Sequence, residues 1–316
     1  MKKHATPNLR RAAVVAALLV AAASFAKEPR LKVALTFDDL PINGQVPAGI
    51  SLTQITRDTV AVLKRHHVPA SYGFVNAKKL EGNPDGAEAL KAWIAAGNPV
   101  ASHTYTHIDL TKNSAEDFER DVLQNEPALQ LLTPAGAKHD WRWLRYPFLH
   151  EGDTLEKRRA IRAFLAAHGY RIAQTTLDWE DYIWNSAYAR CLDRGDAASI
   201  DWLVESYLAA ARDFMRFQRA NSRAIFGRDI HHVMLLHLGA FSARILPGLF
   251  KLLDREGYEL VTLEEAQRDP AYEYDPDVAD RRGGTLVELA MLARQVPWPA
   301  DAPRLPRERL DSICKQ

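Results

Sequence analysis

Two short stretches carry residue types that could do chemistry together. Thr36-Phe37-Asp38-Asp39 ends an apolar run, Leu31-Lys32-Val33-Ala34-Leu35, with two adjacent carboxylates. Neighbouring acids repel each other unless something positive stands beside them. Downstream, Ser102-His103-Thr104-Tyr105-Thr106-His107 sets two imidazoles four residues apart, just after another short apolar segment. Two histidines and one carboxylate, with coordination positions left open, are what a catalytic metal centre requires. Read alone, an aspartate pair at a strand end is commonly a turn or helix cap, and two spaced histidines are commonly surface residues. What favours the metal is that each half closes an expected β-strand.

These stretches resemble the motifs T-F-D-D and H-[ST]-x-x-H of the polysaccharide deacetylases, carbohydrate esterase family 4, and three further stretches follow in that family's order. Arg145-Tyr146-Pro147-Phe148 resembles R-x-P-[YF], with Leu149 standing where glycine is common. Asp178-Trp179-Glu180-Asp181-Tyr182 resembles D-x-x-D-W, with Tyr182 in place of the tryptophan, and Leu235-Leu236-His237 resembles L-x-H. The resemblance spans about residues 31–265 and implies a role for each matched position. Asp39, His103 and His107 would hold one divalent metal ion, zinc fitting best and cobalt, nickel or iron also accepted by such donors. Asp38 would be the general base, oriented by Arg145, and His237 the general acid, held by Asp181. The Phe148 N–H would stabilise the oxyanion, with Tyr146 beside it, and Leu235 would line the pocket for the acetyl methyl group.

The elements that must position these residues read as strands alternating with helices. Apolar periodicity predicts a helix from Leu52 to about His66, a strand over 70–75, a helix over 87–96 stopped by Gly97, and a helix opened by Ser114 with Asp117. A strand over 141–145, a helix opened by Asp153 with Glu156, a strand over 170–177, a helix over roughly 197–219 and a strand over 232–236 follow. A helix ending near Gly257 then leads into a strand at 258–261. About seven strands alternating with helices argue for a parallel α/β sheet with right-handed crossovers. The candidate residues all fall at strand C-terminal ends, the face on which barrel enzymes build their sites. The resemblance implies the same class, a distorted (β/α)7 barrel. No internal repeat or linker precedes residue 265.

The rest of the chain bounds the possibilities. With 316 residues, 47% hydrophobic and 26% charged, it suffices for one large α/β domain. Lys2, Lys3, Arg10 and Arg11 precede an apolar run from Ala12 to Ala23 and then Ser24-Phe25-Ala26, the layout of a secretory leader cleaved after Ala26. That run is too short for a membrane span of about 20 residues, so the expectation is export to a periplasm with no stable span after processing. Cleavage removes four of the 41 basic residues and none of the 40 acidic ones, turning a formal charge of +1 into −3. A slightly acidic chain has no electrostatic footprint for nucleic acid. The expected organisation is a leader over 1–26, a barrel domain over 27–268 and a C-terminal extension over 269–316 packed on the barrel, with one helix at 286–294. Cys191 and Cys314 could form one disulfide in an oxidising compartment.

The function these residues imply is a secreted, metal-dependent hydrolase that removes acetyl groups from N-acetylated or O-acetylated carbohydrate. Two other readings remain open on the sequence. The interval from Asp181 to His237 carries Tyr188, Trp202, Tyr207 and Phe214, which could roof the site and restrict it to a small non-sugar amide. A non-catalytic glycan-binding protein is the reading from another class, and the intact acid, base and metal residues count against it.

Overall fold

The computed structural model describes residue 1, residues 30–133 and residues 136–315; the expected leader, apart from Met1, lies outside the described residues. The order is β1 (Leu31–Leu40), α1 (Leu52–Arg65), β2 (Tyr72–Val75), α2 (Pro84–Ala95), β3 (Val100–Ser102), α3 (Ala115–Leu132), β4 (Trp143–Leu144), α4 (Leu155–Ala167) and β5 (Arg171–Ile172). Then come α5 (Tyr182–Asp193), α6 (Ala197–Phe226), β6 (His232–His237), α7 (Ser242–Arg255), β7 (Tyr258–Val261), α8 (Leu263–Ala266), α9 (Leu286–Ala293) and α10 (Arg307–Ser312).

Seven strands form one sheet in the order β5-β4-β3-β2-β1-β6, with β7 paired to the N-terminal half of β1, and every pairing is parallel. Past β5 the chain bridges back to β6 through Leu177 and Met234, so the sheet curls round on itself. This is the expected distorted (β/α) barrel. Strand alternation decides what fills it. Ala34, Ala101, Ala173 and Val233 point inward with Tyr72, Phe74 and Trp143, so three large rings occupy the interior beside small neighbours. The alternate residues Val33, Leu35 and Phe37 point outward into a second core with Val62, Trp93, Leu246 and Leu249 of the surrounding helices.

Several boundaries differ from expectation for local reasons. The Thr154 side chain, not Asp153, caps α4 by accepting the Lys157 N–H, because the Asp153 carboxylate is drawn 2.7 Å from the Lys157 ammonium. The helix expected over 197–219 runs on to Phe226 and stops at Gly227, whose φ of 70° L-residues seldom adopt. Between Asp181 and α6 lies an unforeseen helix, α5. Residues 269–315 pack on the rest of the fold. Arg228 pairs with Asp269, the buried Arg158 pairs with Glu151 and Asp275, and a disulfide joins Cys314 to Cys191 of α5. No helix among the described residues is long and apolar enough to cross a membrane.

Candidate active site

Alternation along β1 turns Thr36 and Asp38 toward the barrel axis and would turn Asp39 away. Instead the register with β2 slips between Phe37 and Leu40, and Asp39 takes a left-handed φ of 68°, which brings both carboxylates to the same cleft. His103 follows β3 directly. Its Nδ1 lies 2.9 Å from the Arg145 carbonyl, which can only accept, so the ring proton sits there and Nε2 presents its lone pair. Asn76 donates to the carbonyls of His103 and Thr104, and Asp121 accepts from the N–H and hydroxyl of Thr106, fixing the turn that delivers His107.

The Nε2 atoms of His107 and His103 lie 3.5 and 3.9 Å from Asp39 Oδ1, and the donor atoms of the three residues fall within 4.8 Å of one another. Burial lowers His103 to about 3 and His107 to about 4, so both rings are neutral and free to coordinate. Burial works against the Asp39 charge, but Lys79 at 3.2 Å and the positive charge of His237 hold its carboxyl well below the usual range. Asn43 donates to its other oxygen at 2.8 Å. One ionised carboxylate and two neutral imidazoles fit a divalent cation of the zinc type.

Asp38 is buried with its Oδ2 3.8 Å from His103 Nε2, but it stands outside the three-residue cluster and its carboxylate faces Arg145. Burial pushes its carboxyl up, opposed by Arg145 and His237. Arg145 Nη1 stands 3.3 Å from both Asp38 oxygens, while Nη2 donates to Thr36 Oγ1, Nε donates to the Ala173 carbonyl, and the guanidinium lies over the Phe74 ring. With every arm of the guanidinium engaged, its position and that of Asp38 are set together.

His237 ends β6 across the cleft. Asp181 meets its Nδ1 at 2.6 Å with one oxygen and accepts its backbone N–H at 3.0 Å with the other. An aspartate before a helix ordinarily caps it; Asp181 makes no cap bond to α5 because its side chain is committed to His237. Burial would lower His237, but Asp181 overrides it and the ring is pushed up to about 9. Leu235 lines the cleft from the same strand. Phe148 takes φ 59° and Leu149 φ 56°, both in the left-handed region, and the half-exposed Phe148 ring stands edge-on to His107 at 4.5 Å.

Two expectations need correction. Tyr146 borders the cleft, but its ring is 2% exposed and stacked on Phe118 of α3, because it alternates with the inward Arg145 and faces the outer core. It is a packing residue, not a substrate contact. Of the four aromatics expected to roof the site, Phe214 alone lines the cleft; Tyr207 is core against Trp179 and Trp184, Tyr188 packs on Phe241, and Trp202 lies under Arg309.

The structure adds residues the motifs did not reveal. Lys79 and Asn43 hold Asp39, and His150 lines the cleft with its Nδ1 2.7 Å from Asp109. Asp178, quoted within a motif but given no role, is pushed by burial up to about 7. The cleft, a cavity of about 860 Å³, is walled on one side by residues 280–298. Asn43 and Asp178 lie near or within a motif, whereas Lys79, His150 and the 280–298 wall are joined to the motifs only by the fold.

The family described as polysaccharide deacetylase matches residues 26–182, a span that holds every candidate except Leu235 and His237. A chitooligosaccharide deacetylase of Sinorhizobium fredii is 31% identical over 135 residues, 42% of this chain and 54% of that protein. A chitooligosaccharide deacetylase of Rhizobium leguminosarum bv. trifolii is 32% identical over 178 residues, 56% of this chain and 66% of that protein. The chain thus spans between half and two thirds of these curated relatives. The solved chitin deacetylase from the fungal pathogen Colletotrichum lindemuthianum superposes with a TM-score of 0.50 at 22% identity, covering 76% of this chain and 88% of that one, a likeness of fold.

Proposed function

Because this chain belongs to the polysaccharide deacetylase family, we propose that it is a metal-dependent hydrolase removing acetyl groups from an N-acetylated carbohydrate, acting after export to the periplasm. One observation carries the reading. The Asp39, His103 and His107 cluster shares a cleft with an Arg145-bound carboxylate, Asp38, and an Asp181-bound imidazole, His237.

A divalent cation, when bound, would be held by Asp39, His103 and His107 and would supply Lewis-acid polarisation and a more acidic attacking water. Asp38 takes the proton of that water as general base, with Arg145 keeping its carboxylate turned to the cleft. The Phe148 N–H donates to the oxyanion as the carbon becomes tetrahedral. An amide nitrogen leaves poorly as an anion, so it must be protonated as the C–N bond breaks. His237 gives that proton; with Nδ1 bound to Asp181, its Nε2–H is the one left for the leaving group. Leu235 packs against the acetyl methyl, and the same apparatus accepts an O-acetyl ester. The Cys191–Cys314 disulfide supports an oxidising compartment.

The test is acetate release by residues 27–316 from N-acetylglucosamine oligomers, peptidoglycan, acetylated xylan and a non-sugar acetamide. Release from a carbohydrate upholds the reading. Release from the acetamide alone refutes it in favour of a small-amide hydrolase, and silence on all four refutes it as well.

A further inference from the structure

The cleft continues past the Asp39, His103 and His107 cluster onto chain that lies beyond the family match at 26–182. Its far wall, residues 280–298, is fastened to the barrel rather than laid over it. The Leu286 N–H donates to the Thr175 carbonyl at 2.8 Å and the Asp280 N–H to the Gly152 carbonyl at 3.3 Å. Helix α9 opens with a complete capping box, Thr285 with Glu288, and buries Val287, Ala290 and Met291 against Ile225 of α6. Such a wall is pre-organised for a ligand.

On it, Trp298 keeps 53% of its surface exposed while its ring edge rests on Phe217 of α6 at 5.2 Å. Leu292 and Val296 also line the cavity and are 42% and 38% exposed. Scattered exposed apolar residues need no explanation, but three in one concavity beside a reaction centre mark a binding surface. Their chemistry favours one occupant. A flat indole face complements the apolar C–H face of a pyranose ring, while the hydroxyls around that ring need polar partners, and Asp280, Arg282 and Glu288 line the same cavity. A cavity of about 860 Å³ lies in the upper part of the roughly 300–1,000 Å³ range of ligand pockets. That is more room than a single acetamido group at the reaction centre requires.

We propose that residues 280–298 form a second sugar subsite, in which Trp298 stacks on a ring of an oligosaccharide whose N-acetyl group lies between Asp38 and His237. The proposal rests on the deacetylase reading and narrows it to substrates longer than a monosaccharide.

Kinetics and calorimetry with N-acetylglucosamine and its β-1,4 tetramer test it on the full chain. The wild type is expected to prefer the tetramer. W298A should lower kcat/KM for the tetramer about tenfold, through KM rather than kcat, and W298F should retain most of the preference because it keeps an aromatic face. An unchanged tetramer KM in W298A overturns the subsite. Calorimetric binding separates the two claims. Weaker tetramer binding by W298A upholds the subsite even if acetate is never released, in which case the deacetylase reading falls alone. Equal binding by W298A and wild type overturns the subsite whatever the turnover, and no tetramer binding by the wild type overturns it too.

Discussion

Asp38 and Asp39 are neighbours with opposite surroundings. Lys79 and Asn43 converge on Asp39 and keep it charged, whereas Asp38 lies deeper and depends on Arg145. The proposed base and the proposed metal ligand are thereby distinguished within one dipeptide. Asp38→Asn keeps the shape and one of the two acceptors facing Arg145 while removing the charge, so acetate release should fall about 10²–10⁴-fold with the fold retained but its unfolding midpoint lowered, because the buried guanidinium loses its counter-charge. His237 makes a prediction in pH. With its value near 9, the ring keeps its proton through neutrality, so the alkaline limb of kcat/KM, which reports groups of the free enzyme, should fall near pH 9. In Asp181→Asn the limb should move toward the ordinary histidine value of about 6.5, and a limb that stays in place would show that another group titrates. The same shift has a stability sign. Because the folded value lies above the unfolded one, the pair stabilises fully below about pH 6.5 and loses that contribution as pH rises through about 9. At this scale the sequence was informative wherever motif spacing existed, as for Asp38, Asp39, His103, His107 and His237. Lys79 and His150 were illegible because Lys79 reaches the site from a short 3-10 helix, Ala77–Leu80, and His150 from the turn after Pro147–Leu149, neither at a fixed offset to Asp39, His103 and His107. Tyr146 was misassigned because motif membership says nothing about which way a side chain alternates.

Between residues and the whole fold, the turn after β4 is the element under most strain. Phe148 and Leu149 are consecutive non-glycine residues at positive φ, each costing of order 1–3 kcal/mol unless the surroundings hold it. Leu149 occupies the position where glycine would relieve that cost. The C-terminal segment packs closely against this turn. Gly283, at φ 66°, lies so close that an added Cβ would meet the carbonyl oxygens of Phe148 and Leu149 at 2.7 and 2.8 Å and His150 Cδ2 at 2.6 Å. Gly283→Ala should therefore destabilise the fold by about 1–3 kcal/mol. It should also reduce kcat more than it raises KM, because the loop it displaces carries the Phe148 N–H. Thermal unfolding and steady-state kinetics check both halves, and a variant with normal stability would contradict the packing argument. Helices with apolar periodicity and a capping residue, such as α1, were readable from sequence. Helix α5 was not, because its opening aspartate is occupied with His237, and its buried set includes the polar Asn185 and the off-stripe Ala189 beside Trp184, Ala187 and Cys191.

Across the molecule, the site is assembled by the barrel and closed by chain far away in sequence. Strand alternation and the C-terminal-end rule made the barrel and its active face legible, since both follow from short-range pattern. The extension was legible only as a segment packed somewhere on the barrel. Its part in the cleft depends on contacts such as Leu286 to Thr175 and Gly283 to Phe148, which no local pattern encodes. The Cys191–Cys314 bond spans 123 residues and fastens the end of that extension to α5. Restricting so long a loop in the unfolded chain is typically worth about 2–4 kcal/mol, so Cys314→Ser, or reduction of the wild type, should lower the unfolding midpoint by several degrees. An unchanged midpoint would mean that the ion pairs and α9 suffice to hold the extension. The central claim is that the Asp39, His103 and His107 cluster powers deacetylation, and zinc titration of chelator-stripped protein tests it most directly, with acetate release from an N-acetylglucosamine oligomer as the readout. The account predicts negligible release at the start and a linear rise that saturates at one zinc per chain. Release that is indifferent to chelation and to added zinc would contradict it.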